Sequence, residues 1–203
     1  QGGLTAFRDR ILKNLVREVL QNSLDNPAKE NQEDPIRVEF ERLSLKRDQI
    51  PGIQSLEKHL KECLVEAKKR SANDHRKDVQ AAVTKAKSDV FQVLKISDFS
   101  TSGMSGGSPG PCEKGSGFHN YIKTEGESGG DQSRGGSHGL GKNAPLISSG
   151  VRAIFASTCW LENGNPKNLL QGRCQLMTRP VGGSENSSEY GSHGYWGGKN
   201  FQP

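Results

Sequence analysis

The chain has 203 residues, 31% of them apolar and 25% charged, with a formal net charge of +5 and a mean hydropathy of −0.74. That length holds about one to one and a half average domains with a sizeable core. No window approaches the roughly 18 continuous apolar residues of a membrane span, and no signal-peptide pattern opens the chain, so a soluble, cytoplasmic protein is expected. Glycine is unevenly placed: residues 1–102 hold only Gly2, Gly3 and Gly52 of the 25, and the rest lie beyond. No Gly-X-Y period appears, which excludes collagen. The second half is therefore either flexible filler or backbone loops that approach a ligand.

Basic residues are interleaved with acids, as in Glu57–Arg70. No run of like charge reads as a nucleic-acid tail; a weak polyanion preference stands beside an ordinary solvated surface. Cys63, Cys112, Cys159 and Cys174 form no CxxC and have no histidine at zinc-ligand spacing. They read as reduced thiols, with Cys63 and Cys159 packed in apolar segments.

In chain order, Leu4, Phe7, Ile11, Leu12, Leu15, Val16, Val19 and Leu20 recur at three- and four-residue intervals, predicting a helix over 4–26 that Pro27 stops. Ile36, Val38 and Phe40 alternate with Arg37, Glu39 and Glu41, a strand with one wet face over 34–45. Two helices over about 53–70 and 76–88 form an antiparallel pair inserted between strands. Val90–Ile96 suits a buried strand. Residues 99–149 are rich in Gly, Ser and Asn, a length uncommon for a loop unless it is functional or disordered. Strands are predicted again over 151–158 and 172–178, and the tail from 181 is Gly/Ser-rich. This order fits an α+β, two-layer sandwich, a mixed and mostly antiparallel sheet with helices on one face.

Three segments carry candidate chemistry. At 100° per residue, Glu18, Asn22 and Asp25 fall within 60° of one another, on the side that Leu4, Phe7, Ile11 and Leu15 occupy. The core-facing stripe thus turns acidic in its last two turns. An inward carboxylate is costly unless paired, so this is a frayed end, a carboxylate paired with a core arginine, or a site for a cation or an activated water. The strand over 90–96 runs into Asp98, with Gly103 and Met104 in the turn that follows, which can present a carboxylate at the sheet edge. In Gly135–Ala144, closely spaced glycines and Lys142 suit phosphate. Gly136 and Gly141-Lys142 satisfy GxxxxGK, but Asn143 stands where a P-loop needs Ser or Thr, and the polar Thr124–Arg134 cannot be its launching strand.

Together these segments resemble the GHKL ATPase superfamily, the group of gyrase, heat-shock chaperone, histidine kinase and MutL nucleotide-binding domains, over essentially the whole chain. Arg17–Asp25 is similar to the N-box, Asp98 with Gly103 to the adenine box, and Gly135–Ala144 to the glycine-rich box of the stand-alone prokaryotic type with GGSxGxGKxAP. The second box departs from D-x-G-x-G: Ser100 replaces a glycine, and the next glycine arrives one residue late.

The resemblance implies a single Bergerat ATP-binding fold over 1–203, with ATP and Mg²⁺ as ligands and a lid over about 99–149. It implies Glu18 as general base, Asn22 as Mg²⁺ ligand and Asp25 as an orienting neighbour. Asp98 would accept from the adenine amino group, with Gly103 and Met104 beside the base. Ser137, His138, Gly139, Leu140, Gly141, Lys142 and Asn143 would surround the phosphates. Thr178 is the candidate for the family's adenine-contacting threonine. Slow ATP hydrolysis driving a conformational switch is the leading expectation, with an ATP-dependent homodimer, DNA-linked or defence-system partner proteins, and no membrane. The alternatives are a histidine-kinase-like phosphotransfer domain, and a non-hydrolysing nucleotide-sensing module associated with nucleic acid, to which the basic helical pair points. Little chain follows Gly194–Gly197 for a transducer domain, as expected of a fragment of a longer protein.

Overall fold

A computed structural model describes residues 11–28, 34–70, 73–106, 116–123, 143–181 and 188–197. The fold is α+β. Its order is α1 (Ile11–Leu24), β1 (Arg37–Lys46), α2 (Ile53–Lys69), α3 (Asn73–Ala86), β2 (Val90–Phe99), α4 (Gly117–Ile122), α5 (Ala144–Ser148), β3 (Ala153–Glu162), β4 (Asn165–Gln175), β5 (Arg179–Pro180), β6 (Glu189–Tyr190) and β7 (His193–Trp196). Every strand pairing among the described residues is antiparallel, in three sets: β1–β2, β3–β4–β7 and β5–β6. The single mixed sheet expected from sequence is not what the described strands form: they make three separate antiparallel sheets.

β1 and β2 pair over ten residues each, from Arg37↔Phe99 to Lys46↔Val90. The helical pair therefore fills a long connection between two neighbouring strands. Gly52 (φ +63) starts α2 in the left-handed region, where a Cβ would also collide with the indole nitrogen of Trp196. Ile53, Leu56, Leu60, Cys63 and Ala67 then recur at helical spacing and are buried against Val79, Ala82, Val83 and Ala86 of α3 and against Cys174, Leu176 and Met177. The short link over 70–72 sets the two helices antiparallel. Truncating Leu60, 1% exposed, would cost about 2–5 kcal/mol.

Several expectations are corrected. α1 ends at Leu24, and Pro27, rather than simply stopping a helix, forms an antiparallel bridge with Thr101. The 99–149 stretch contains α4 and α5: Ser116 caps α4 by accepting from the His119 amide, and Pro145 sits in the first turn of α5. β4 begins at Asn165, not Gly172, because Asn163 (φ 51) and Gly164 (φ 75) make a tight turn with both central residues left-handed. Cys159 is exposed on the outer face of β3, whereas Cys63 and Cys174 are buried. Burial pushes the Cys174 thiol up to about 12. The Gly/Ser-rich tail supplies β6 and β7. No helix among the described residues is long and apolar enough to cross a membrane.

Candidate active site

α1 packs against α5, which also touches β3. Leu15 and Ser23 are its buried residues. Glu18 and Asp25 are half-buried and Asn22 is exposed. The inward stripe therefore rotates: eight residues separate Leu15 from Ser23, about 80° around the helix, so the last inward position is Ser23 and not Asn22. This corrects the expectation that all three polar residues face the core.

The Ser23 hydroxyl lies 3.1 Å from both the Val19 carbonyl and Asp98 Oδ2. The chain beyond α1 runs antiparallel to the chain beyond β2. Ala28 N–H donates to the Ser100 carbonyl and Ser102 N–H to the Asn26 carbonyl, each at 3.0 Å, on either side of the Pro27–Thr101 bridge. Two local bonds fix the helix end: Gln21 Nε2 donates to Asp25 Oδ1 at 2.8 Å, and Asn26 Nδ2 to the Asn22 carbonyl at 2.9 Å. Ser23 thereby ties α1 to the end of β2, although 75 residues separate it from Asp98; Glu18 and Asp25 lie about 140–160° around the helix from Ser23.

Ser100, which stands where the D-x-G-x-G pattern has glycine, adopts φ +60. A left-handed serine costs about 1–3 kcal/mol, and the bonds on either side impose it. Gly103 (φ +68) follows, and a Cβ there would collide with the Cys159 carbonyl. The turn is thus laid directly against β3. Thr158 pins it: Oγ1 accepts from Met104 N–H at 2.7 Å and lies 3.3 Å from the Met104 carbonyl. Thr158 is buried. Sequence reasoning missed both Ser23 and Thr158. Thr178 lies elsewhere, its carbonyl accepting from Arg70 at the C-terminal end of α2.

Behind the Asp98 corner, Arg173 of β4 is 2% exposed. Burial pushes the Tyr121 phenol of α4 up; the Arg173 charge opposes this and the Asp98 charge adds to it. Asn143, at the start of α5, is buried, and its Oδ1 has no hydrogen-bond partner among the described residues. Ser137, His138, Gly139, Leu140, Gly141 and Lys142 lie outside the described residues.

Among the described residues no group of three or more His, Cys, Asp or Glu forms a metal cage. Mg²⁺ does not need one, since it is commonly held by one or two protein oxygens with phosphates and waters. Glu18, Asn22 and Asp25 offer hard oxygen donors of that kind, and the orphaned Asn143 Oδ1 is a further acceptor on an element packed against α1. The oxygen donors present are of the kind that Mg²⁺ takes. A cavity of about 700 Å³ lined by Lys46, Arg47, Gly52 and Asp89 is not this site, because it lies by the Lys46↔Val90 end of β1–β2 and Asp98 pairs at the other end with Val38.

No protein-family model, curated protein or solved structure matches the chain.

Proposed function

We propose that the chain is an ATP-binding domain of GHKL type with a Bergerat fold, which hydrolyses ATP slowly with Mg²⁺ and uses the nucleotide as a conformational and dimerisation switch in the cytoplasm. The observation that carries this reading is the Ser23–Asp98 hydrogen bond. It ties the helix that bears Glu18 and Asn22 to the strand that ends near Asp98, which supports one nucleotide reaching both elements.

Within this reading each residue has a distinct task. Asp98 accepts from the exocyclic amine of adenine, which selects adenine over guanine. Ser23 orients that carboxylate from the side of α1. Thr158 and Gly103 keep the following backbone close to β3, leaving room for a planar base. Asn22 supplies an amide oxygen to Mg²⁺, which when bound neutralises charge developing on the phosphates. Glu18, half-buried one turn earlier, accepts a proton from the attacking water. Gly139, Gly141 and Lys142 donate to the phosphates.

Titration calorimetry with a non-hydrolysable ATP analogue and Mg²⁺, beside phosphate release from ATP, tests the reading. Magnesium-dependent binding of the ATP analogue with no binding of the GTP analogue is expected, with turnover well below one per second. Absence of analogue binding to the folded chain overturns it.

A further inference from the structure

The helical pair α2–α3 carries a second feature that nucleotide hydrolysis does not use. Residues 53–87 hold nine lysines and arginines against five acids, which is +4 of the +5 net charge of the whole chain. The structure separates these charges by depth. Glu57 and Glu66 have side chains only 16% and 13% exposed, and each is held by two cations. Arg47 and Lys61 lie 2.5 Å from Glu57, and Arg70 and Lys69 lie 2.9 and 3.6 Å from Glu66. Lys61, Lys69 and Arg70 stand about half exposed above them. Glu62 faces Arg179 and His59, and Asp78 faces Arg152. The described acids of the pair are therefore recessed or turned toward the rest of the fold.

Lys58, Lys68, Arg76, Lys77 and Lys87 are exposed and make no ion pair among the described residues. At 100° per residue, Lys58, Lys61 and Lys68 share an arc of α2 away from Glu66 and Arg70, with the recessed Glu57 at its edge; Arg76 and Lys77 share the arc of α3 away from Asp78, and Lys87 follows the end of that helix. The packing of α2 on α3 sets these arcs side by side; on α2 the cations run ten residues, about 15 Å of helix.

We propose that this surface docks on the phosphate backbone of duplex DNA. The length matches about four successive phosphates of one strand. Three features single out that partner. No Phe, Trp or Tyr occurs between residues 53 and 89, so the stacking platforms that hold single strands are missing. Val65 is the only exposed large apolar residue of the pair, which leaves neither the apolar centre of a protein interface nor the inserted face of a membrane-binding helix. What remains is a row of flexible cations with recessed counter-charges, which suits sequence-independent backbone contact by counterion release.

The test is fluorescence anisotropy of a labelled 30-base-pair DNA duplex with the full chain, without nucleotide, from 50 to 200 mM salt. Micromolar binding at low salt is expected, falling steeply as salt rises. The triple variant K68A/R76A/K77A should weaken binding at least tenfold and flatten the log–log salt slope by about 3, at about 0.9 per phosphate contact. The variant K68R/K77R should bind as wild type. Because all these positions are exposed, unchanged melting and unchanged ATP-analogue binding identify the loss as local. Failure to bind the duplex at 50 mM salt, an unaltered slope in the triple variant, equal affinity for the single strand, or binding confined to anionic vesicles would each overturn the proposal.

Discussion

The Ser23 hydroxyl donates to Asp98 Oδ2 across 3.1 Å, from a buried position on α1 to an exposed carboxylate one residue before the end of the β1–β2 ladder. One short side chain thus adds a side-chain link to the backbone bonds that join the chain beyond α1 to the chain beyond β2. Ser23→Ala should cost about 1 kcal/mol of stability, the usual worth of one such bond, and weaken ATP-analogue binding severalfold. Asp98→Asn should leave the melting temperature nearly unchanged and abolish analogue binding, because an amide cannot present two acceptor oxygens to the base and the hydroxyl. Calorimetric binding beside urea unfolding measures both. Tight analogue binding by Asp98→Asn would remove Asp98 from the site.

Glu18 and Asn22 lie one turn apart and differ in exposure, Glu18 half-buried and Asn22 open. Their assigned tasks separate in the same way. Glu18→Ala should keep analogue affinity and lose about 10²–10⁴-fold in phosphate release, the range of one general base. Asn22→Ala should bind nucleotide less tightly and lose the gain that Mg²⁺ confers. Single-turnover phosphate release and magnesium titrations distinguish the two losses. Full turnover by Glu18→Ala would show that another group activates water.

The sequence pattern reached the site unevenly, for physical reasons. The helical repeat from Ile53 to Ala67 is legible because α2 buries one face; the period-two alternation of Val38 and Phe40 marks β1 although Val38 is only half-buried and Phe40 is exposed. The outer half of the β3–β4 hairpin has neither face buried: Leu161, Asn165 and Lys167 are all exposed. It carries no alternation, and its one local signal is the Asn163-Gly164 turn. Helices α4 and α5 have six and five residues, too few to show a period. Asp98 was readable as an acid following a strand. The positive φ of Ser100 was not, because it depends on Ala28 and Pro27, about seventy residues earlier. Ser23 was hidden because a helical wheel does not know where α5 will press. Thr158 was hidden because its role is set by the register of β3 beneath Gly103.

Thr158 holds the glycine turn with both functions of its hydroxyl, accepting from Met104 N–H and lying within bonding distance of the Met104 carbonyl. Thr158→Val keeps the shape and removes both. Leaving that amide unpartnered should cost about 1–3 kcal/mol and lower ATP-analogue affinity, since the turn follows directly from Asp98. Thr158→Ser should retain most of each. Gly103→Ala should be worse than Thr158→Val, because it adds a left-handed alanine to a collision with the Cys159 carbonyl. Urea unfolding of the three variants ranks them; equal stability of Thr158→Val and wild type would show that the turn holds without the hydroxyl.

Arg179 is 3% exposed, and its guanidinium lies 3.1 Å from Glu62, 2.6 Å from His59 Nδ1 and 3.4 Å from the Met177 carbonyl. Its ring neighbour is Tyr190, 4.8 Å away. Burial tends to raise the Glu62 carboxyl, but hydrogen bonds from His59 and Arg179 prevail and hold it below the usual carboxylate range. A carboxyl lowered in the folded state contributes stability above its unfolded value of about 4.5, and that contribution disappears as pH falls through the lower folded value. Glu62→Gln should therefore cost about 1–2 kcal/mol at pH 7, less than a fully buried pair because the Glu62 side chain is 39% exposed. The deficit should shrink as pH falls below about 4.5 and through the lowered folded value. Urea unfolding of both proteins across pH 7 to 3 reads this directly: the two stability curves should converge at the acid end, and curves that stay parallel would show that the Glu62 charge does not support Arg179.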